Sequence, residues 1–407
     1  VYIAVLSASA VYFIGTPGMN LSIFAQKTIS GAEGLSLLAI PFFVCAGIFM
    51  NYTGVTKRIM NCCEVLTARM PGGLAQVNIL LSTLMGGLSG SSLADAAMQC
   101  KMLVPTMESK GYSKSFSTVI TAASGMVVPL IPPGVGLIIY GCINNISIGK
   151  LFIAGIGPGI VLCVTLMIFT HFLSKKRGYL PSRTTKIPVS EKIAAVRPAF
   201  LPLLLPIIII GGVRIGVFTA SEAGTVAIVY AVLLGLLYKE LTLKNVMQGC
   251  KETVTTTASI MLIVAAATCF SWILTKEQIP QQFSQWMISN IHNKYVFLIM
   301  VNIFLLIVGM FIEGNASMIV LAPLLHPVAM AYGIDDIHFA MVYIFNCTIG
   351  AFTPPMGTLM FVSCGITKCP TKDFIKEAVP FYILFAIDII VLTYIPQLTT
   401  FLVNVFY

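Results

Sequence analysis

Charged residues are scarce in this chain: Asp, Glu, Lys and Arg make up 10% of its 407 residues, whereas 57% are hydrophobic. So little polar surface cannot cover a water-soluble globule of this size, which excludes the soluble classes of protein. The apolar runs also lack the alternation over roughly ten residues that barrel strands show. We therefore predict an all-α polytopic membrane protein, with on the order of ten to a dozen crossings of about 20 residues each.

Metal-binding and disulfide patterns are missing as well. The chain has eleven cysteines, none of them in a CxxC pair, and only four histidines. We interpret the cysteines as small apolar residues rather than as disulfide partners or metal ligands. No cofactor is therefore predicted.

The net charge of +9 comes mainly from basic residues between apolar segments. Residues 174–197 hold seven Lys/Arg against one Glu. By the positive-inside rule this connection faces the cytoplasm, and binding of lipid headgroups or a partner is the alternative role. The basic residues form no groove-like patch for nucleic acid.

A second stretch, residues 54–70, alternates apolar and basic positions at helical spacing, which predicts a helix along the membrane surface.

Two proline pairs, Pro132-Pro133 and Pro354-Pro355, mark an internal repeat. In both halves a phenylalanine follows the first proline by 20 residues and another proline follows it by 26: Phe152 and Pro158, then Phe374 and Pro380. A polar break, GGLSGSS at residues 86–92 and EGNAS at residues 313–317, precedes each pair by about forty residues. Each half thus predicts a re-entrant hairpin with a polar tip, a span broken at the prolines and a closing span. Paired interrupted segments of this kind are typical of the midplane site of a secondary transporter.

These patterns divide the chain into four parts. Residues 1–72 are predicted as N-terminal scaffold helices with the surface helix, and residues 173–290 as the basic connection with the scaffold helices of the second half. The first transport repeat, 73–172, comprises a hairpin at 73–112, a broken helix at 115–140 and a closing span at 151–172. The second, 291–407, comprises a hairpin at 295–330, a broken helix at 339–365 and a closing span at 380–402.

The breaks suggest their own chemistry. Proline lacks an N–H, so each pair interrupts the helical ladder and frees carbonyl groups, which need partners in hydrocarbon. A hard cation such as Na⁺ is one such partner, and serines 89, 91 and 92, with Ser317 and Thr353, add hydroxyls. The alternative is that glycine and serine merely allow close helix packing while the prolines merely kink the helices. Because the pattern is duplicated, we favour coordination of an ion or a substrate.

Two carboxylates, Asp95 and Glu313, lie at or just beyond the polar tips. Charges at membrane depth are costly and usually functional. For both residues, capping of the hairpin backbone and support of a cation site remain open. Arg214 lies near a span end, where we expect it to snorkel to the membrane surface.

A protease is an alternative, because GLSG at residues 87–90 matches the nucleophile loop of rhomboid intramembrane proteases. That chemistry needs a histidine base on a neighbouring span. Of the four histidines we expect only His326 at membrane depth, and it belongs to the other hairpin. The repeated proline breaks have no place in such an enzyme, so the chain is predicted not to be one.

Longer motifs resemble a known family. They are GGLSGSSLADAA, GYSKSFSTVITAASGMVVPLIPPG, KLFIAGIGPG, YKELTLKN and IGAFTPPMGTLMFV. With them the chain resembles the large membrane (M) subunit of tripartite ATP-independent periplasmic (TRAP) transporters over essentially its whole length. The resemblance implies an inverted repeat with two re-entrant helical hairpins and two Pro-broken helices. It also implies an elevator-type sodium symporter of the bacterial inner membrane, with scaffold and transport domains.

The resemblance further implies site residues. One sodium site corresponds to Ser89, Ser91, Val128, Ile131 and Pro133. The second corresponds to Gly314, Gly350, Thr353, Pro355 and Met356. Residues that contact substrate or support these sites are Gly90, Ser92, Asp95, Ser124, Glu313 and Asn315. Na⁺ is the coupling ion and the only metal expected.

The expected function is that of a permease subunit importing an organic acid with sodium. The implied partners are a small four-helix membrane subunit, separate or fused upstream, a periplasmic substrate-binding protein and membrane lipids, without nucleic acid. A divalent-anion sodium symporter that works without a binding protein is the main alternative. Sialic acid, dicarboxylates, sugar acids and sulfonates all remain open as substrates.

Overall fold

The structure, a computed structural model, describes residues 2–183, 185 and 187–407. Val1, Thr184 and Lys186 lie outside this description, as do the side chains of Leu35 and Ser36, so one of the seven basic residues of the connection is not described. Helices and no strand are found in the described part of the chain, which confirms the predicted all-α class.

The first part of the chain contains four α-helices and one short 3₁₀ helix. These are α1 (Tyr2–Gly15), α2 (Leu21–Ser30), the 3₁₀ helix Leu35–Leu38, α3 (Ala39–Asn51) and α4 (Val55–Thr67). The axes of α3 and α4 differ by 68° at a turn around Gly54, whose φ is +67°. On α4, Ile59 and Cys63 are buried whereas Lys57 and Asn61 are exposed. This is the amphipathic pattern expected of the surface helix.

The remaining helices lie in the two predicted repeats and between them. The first repeat contains α5 (Gly73–Ser89), α6 (Ser92–Ser109), α7 (Lys114–Gly125), α8 (Val135–Asn144) and α9 (Ile148–Lys176). After α10 (Val189–Arg214), α11 (Ala220–Leu237), α12 (Leu243–Lys276) and α13 (Ile279–Asn290), the second repeat begins. It contains α14 (Lys294–Phe311), α15 (Gly314–Ala331), α16 (Asp336–Gly350), α17 (Thr358–Thr367) and α18 (Thr371–Tyr394), and α19 (Gln397–Phe406) ends the chain.

Cross-helix contacts show that both predicted hairpins form. Gln99 on α6 donates to the Ser82 hydroxyl on α5 at 2.7 Å, although 17 residues of continuous helix would separate them by about 26 Å. In the second repeat the rings of Phe297, on α14, and Tyr332, just after α15, stack with centroids 4.6 Å apart. The chain therefore doubles back after α5 and again after α14.

The two broken helices run in opposite directions. Thr118, in the first turns of α7, donates a hydrogen bond to the Thr367 hydroxyl at the end of α17, 3.1 Å away. At the other end, the ring of Tyr140 on α8 lies 5.5 Å, centroid to centroid, from that of Tyr343 on α16. The start of one broken helix thus lies beside the end of the other, as an inverted repeat requires.

Six helices within the described residues are long and apolar enough to cross a membrane, or up to eight if each bent pair counts as one span. The predicted ten to a dozen crossings exceed this number of long apolar helices. Many of the apolar residues instead form shorter helices, such as α5, α8 and α17. Arg214 ends α10 with its side chain exposed and donates to the Phe406 carbonyl at 3.1 Å. Its position at a helix end agrees with the predicted snorkelling.

Candidate substrate and ion site

The tips of both hairpins line one cavity. Residues 89–94, between α5 and α6, form one wall, and residues 313–315, between α14 and α15, form another. The rest comes from the two broken helices and from α3 and α12. The cavity measures about 190 Å³, whereas a single water needs only about 15 Å³. Two tip segments whose positions differ by 222 residues, from Ser91 to Glu313, therefore share one cavity.

Four helices, α6, α8, α15 and α17, begin at this cavity. Their first residues, Ser92, Val135, Gly314 and Thr358, all line it. Because the N–H groups of a first turn have no partner inside the helix, each such end carries about half a positive charge. The described lining residues include no lysine, arginine or histidine, and Glu313 is their one carboxylate. Positive potential in the cavity thus comes from helix ends rather than from basic side chains.

Two of the four helix starts are capped by side chains. Ser91 accepts a hydrogen bond from the Ala94 N–H at 3.4 Å, and Glu313 accepts one from the Ala316 N–H at 3.3 Å. Ser91 and Glu313 are 222 residues apart, as are Pro132 and Pro354. The structural counterpart of Glu313 is therefore Ser91. Glu313 and Asp95 therefore do not occupy corresponding positions in the two repeats.

The other two helix starts have no side-chain cap. The N-caps of α8 and α17 are Gly134 and Gly357. Among the described residues no acceptor pairs with the N–H of Gly136 on α8 or of Thr358 on α17. Both residues line the cavity, and they too are 222 apart. The inverted repeat thus brings two unpaired N–H donors to one space.

Most residues of the first predicted sodium site have carbonyl groups without a hydrogen-bond partner among the described residues. Those of Ser89, Val128, Ile131 and Pro133 accept no hydrogen bond from any described residue. The Ser91 carbonyl differs, because it accepts the Asp95 N–H at 3.1 Å. All of the site's predicted residues except Ile131 and Ser91 are buried. The structure therefore leaves four of the five predicted ligands with free carbonyl oxygens.

Gly90 holds the first tip against this break. Its φ is +61°, a left-handed conformation that favours glycine. A Cβ at this position would lie 2.8 Å from the Pro133 carbonyl oxygen. The Gly90 carbonyl in turn accepts the Val135 N–H at 3.4 Å. Tip and break are therefore in direct backbone contact.

The second break is more open. Carbonyls of Thr353, Pro355 and Met356 accept no hydrogen bond from the described chain, whereas that of Gly350 accepts the Thr353 N–H at 3.0 Å. Met356 is 55% exposed. Gly314 lies across the cavity at the start of α15. The residues of the second predicted sodium site are thus more exposed than those of the first.

Asp95 and Ser124 lie behind the first tip and do not line the cavity. Asp95 is 1% exposed and accepts hydrogen bonds from Ser82 and Gln99, both at 2.7 Å. Its second carboxylate oxygen has no partner among the described residues. Ser124 donates to the Asn78 side-chain carbonyl at 3.0 Å. This cluster fastens both arms of the first hairpin to α7.

The second repeat has a corresponding polar contact, which our sequence reasoning missed. Asn346, 222 residues after Ser124, donates to the Asn302 side-chain carbonyl at 2.8 Å. Asn302 donates in turn to Thr393 at 3.0 Å. A search for polar residues at the repeat offset inside apolar segments would have found Asn346. Each hairpin is therefore joined to its broken helix by a buried amide.

Comparison with known proteins decides the family. Residues 1–398 match the family model described as the DctM component of the tripartite ATP-independent periplasmic transporter. The chain belongs to this family. The sialic acid TRAP transporter large permease protein SiaM of Vibrio cholerae is 39% identical, over 97% of this chain and 92% of that protein. The C4-dicarboxylate TRAP transporter large permease protein DctM of Pseudomonas aeruginosa is 36% identical, over 93% of this chain and 89% of that one.

A solved structure supports the fold of this TRAP permease. The YdaH transporter of Alcanivorax borkumensis matches it with a TM-score of 0.58 at 12% identity, over 96% of this chain and 95% of that one. The TRAP permease is accordingly a multi-pass protein of the inner membrane and a transporter component for organic acids.

A protease dyad is not assembled in the described part of this TRAP permease. The Ser89 hydroxyl of GLSG has no hydrogen-bond partner there. His326 instead lies 3.4 Å from the Tyr140 hydroxyl. His338, which we did not expect at depth, is buried and contacts Thr399. As a transporter permease the protein is not an enzyme.

Proposed function

We propose that this TRAP permease imports an organic acid together with sodium, and that both bind between the hairpin tips. The observation that supports this most directly is the pair of unpaired N–H groups at Gly136 and Thr358, which line the same cavity at matching positions of the repeats. Backbone N–H groups at helix starts are ready-made anion donors. The carboxylate of the cargo binds to them.

Sodium supplies the positive charge that the cavity side chains lack. The first ion binds the free carbonyls at Ser89, Val128, Ile131 and Pro133, and the second binds around Thr353, since unwound backbone carbonyls are typical ligands for Na⁺ in transporters. A bound ion attracts the carboxylate across the cavity, where no described lysine or arginine does so. We therefore expect sodium to bind first and to raise the affinity for the acid.

For translocation we propose an elevator movement, in which the hairpins and broken helices form the transport domain and slide along the scaffold. The scaffold wall of the cavity includes Val44 and Ile48 on α3 and Ile260 on α12. These side chains are apolar, so sliding past them breaks no hydrogen bond at these positions. Ordering of the tips by sodium and cargo would then permit the movement.

The proposed partners are those of the family: a periplasmic substrate-binding protein that delivers the acid and a small four-helix membrane subunit. Membrane lipids surround the complex, and no nucleic acid takes part. The two relatives are named for sialic acid and for C4-dicarboxylates, so we propose acids of this kind as a class. A symporter that works without a binding protein is the alternative.

Uptake into proteoliposomes that contain the permease, the small subunit and the binding protein tests these proposals. The labelled acid is chosen by thermal-shift screening of the binding protein. Uptake should require an inward sodium gradient, and uptake that persists after this gradient is collapsed would disprove coupling. Omitting the binding protein should stop uptake; transport without it would favour the alternative symporter.

A further inference from the structure

A second cavity, which we call the outer cavity, lies between the first scaffold helices and the transport repeats. It measures about 460 Å³ and is bordered by α2, the 3₁₀ helix and α12 on one side. The end of α8 and residues Ile319 and Pro323 of α15 border the other side. No predicted site residue lines it. It is therefore separate from the cavity between the hairpin tips.

The predicted orientation places the outer cavity towards the periplasm. Helix α9 ends at Lys176, where the basic connection begins, and that connection is predicted to face the cytoplasm. The 29 residues of α9 span about 44 Å, so its start lies at the opposite face of the membrane. Cys142 and Ile143, which line the outer cavity, come shortly before that start. The outer cavity therefore lies on the side from which the proposed periplasmic binding protein would deliver the acid.

One unneutralised charge lines the outer cavity. Lys27 is its only charged lining residue among those that the structure describes, and it forms no ion pair with a described carboxylate. Its side chain is half-buried, with Nζ 5.9 Å from the centre of the Trp272 ring. Lys276, at the rim, lies at the same distance from that ring. The ammonium groups of Lys27 and Lys276 therefore both lie near the Trp272 ring.

The nearest carboxylates in sequence do not balance this charge. Glu33 and Glu277 do not line the outer cavity, and Glu277 accepts a hydrogen bond from the Tyr12 hydroxyl instead. A partly desolvated ammonium without a counter-ion attracts anions more strongly than a lysine in water does. The cavity between the tips, in contrast, has no described basic side chain.

We propose that the outer cavity is a second anion site, at which Lys27 binds the carboxylate of the cargo before it reaches the hairpin tips. That the cargo is an acid rests on the proposed function; that the cavity attracts anions does not. Lys276 at the rim adds to the attraction without lining the site. Trp272 forms the wall between the two lysines and so reports on the site directly.

Fluorescence quenching tests this proposal, because the chain has only two tryptophans, Trp272 and Trp286. In the purified full chain carrying Trp286→Phe, emission comes from Trp272 alone. Iodide, an anionic quencher, is compared with neutral acrylamide. Lys27→Gln should lower the iodide quenching constant about threefold. This is the Boltzmann factor for the attraction between one ammonium charge and one iodide about 6 Å apart in water. Acrylamide quenching should not change.

The controls separate charge from structure. Lys27→Arg should restore iodide quenching, and Lys244→Gln, exposed at the opposite end of α12, should leave it unchanged. Succinate and N-acetylneuraminate should compete with iodide in the protein with Lys27 but not in Lys27→Gln. An unchanged iodide constant in Lys27→Gln, an equal loss of acrylamide quenching, or failure of both acids to compete would each overturn the proposal.

A transport measurement distinguishes this site from the proposed function. In the three-component proteoliposomes, Lys27→Gln should raise the KM for the acid and leave kcat unchanged, because the sites at the tips are intact. If sodium-driven uptake were absent from the unmodified protein while iodide quenching still depended on Lys27, the proposed function would fail and the anion site would stand.

Discussion

Thr358→Pro removes a single backbone donor from the proposed carboxylate site. Thr358 is the first residue of α17, and its N–H has no acceptor among the described residues. Proline is well tolerated at the first helical position, where its missing N–H has no helical partner. The preceding Gly357 has φ −49° and ψ 115°, which is outside the α region that proline disfavours in the residue before it. The variant should therefore fold normally while losing one donor to the cargo.

The size of the effect follows from the kind of hydrogen bond that is lost. A bond to a charged group contributes about 1.5–3 kcal/mol, which corresponds to a roughly 10- to 150-fold weaker affinity. The assay is the KM for the acid in proteoliposomes at saturating sodium. Thr358→Val is the matched control, because it removes the hydroxyl and keeps the N–H. Equal KM values for the two variants would refute the role of this N–H as an anion donor.

Three further variants test the surroundings of the cavity. Gly90→Ala places a Cβ 2.8 Å from the Pro133 carbonyl oxygen at a residue with left-handed φ. Overpacking of about 1–3 kcal/mol should raise the sodium concentration at half-maximal uptake at least fivefold. Gly111→Ala, at a residue that also has left-handed φ but open space around it, should leave this concentration unchanged. Asp95→Ala removes the buried carboxylate that accepts hydrogen bonds from Ser82 and Gln99. It should depress uptake and thermal stability while membrane insertion, measured in isolated membranes, continues. Glu313→Gln should retain more uptake than Glu313→Ala, because its amide oxygen can still cap α15, a contribution of about 1 kcal/mol.

The architecture of the repeats could be predicted because proline acts locally. Single prolines are tolerated inside α9 and α18, at Pro158 and Pro380, whereas adjacent prolines remove two N–H donors in succession. Helices α7 and α16 end before the two proline pairs, at Gly125 and Gly350. The hairpin tips could be predicted for a similar reason, since glycine and serine favour helix ends over helix interiors. Segment order, hairpins and breaks therefore followed from local rules.

The role of Asp95 could not be predicted from its position in the sequence. It lies one turn after Ser91, the N-cap of α6, and helical spacing alone places the two on the same face, so the burial of Asp95 behind the tip does not follow from the spacing. Its partners Ser82 and Gln99 lie on both arms of the hairpin, and such contacts depend on how the arms pack. The unpaired N–H of Thr358 was equally hidden, because it depends on α17 starting directly after Gly357, which leaves that start without a side-chain cap.

The two repeats agree in backbone and differ in charge. The offset of 222 residues relates Ser91 to Glu313 and Asp95 to Ser317, so the first repeat carries its carboxylate behind the tip and the second carries it at the cavity. The first side of the cavity is therefore lined by serine hydroxyls near buried, free carbonyls, while the second presents a negative charge beside a more open break. Because a carboxylate repels an acid and attracts a cation, we expect the cargo carboxylate, bound to the N–H groups of Gly136 and Thr358, to lie away from Glu313. On the same grounds, the sodium ion at the second break should be the one whose affinity depends on Glu313.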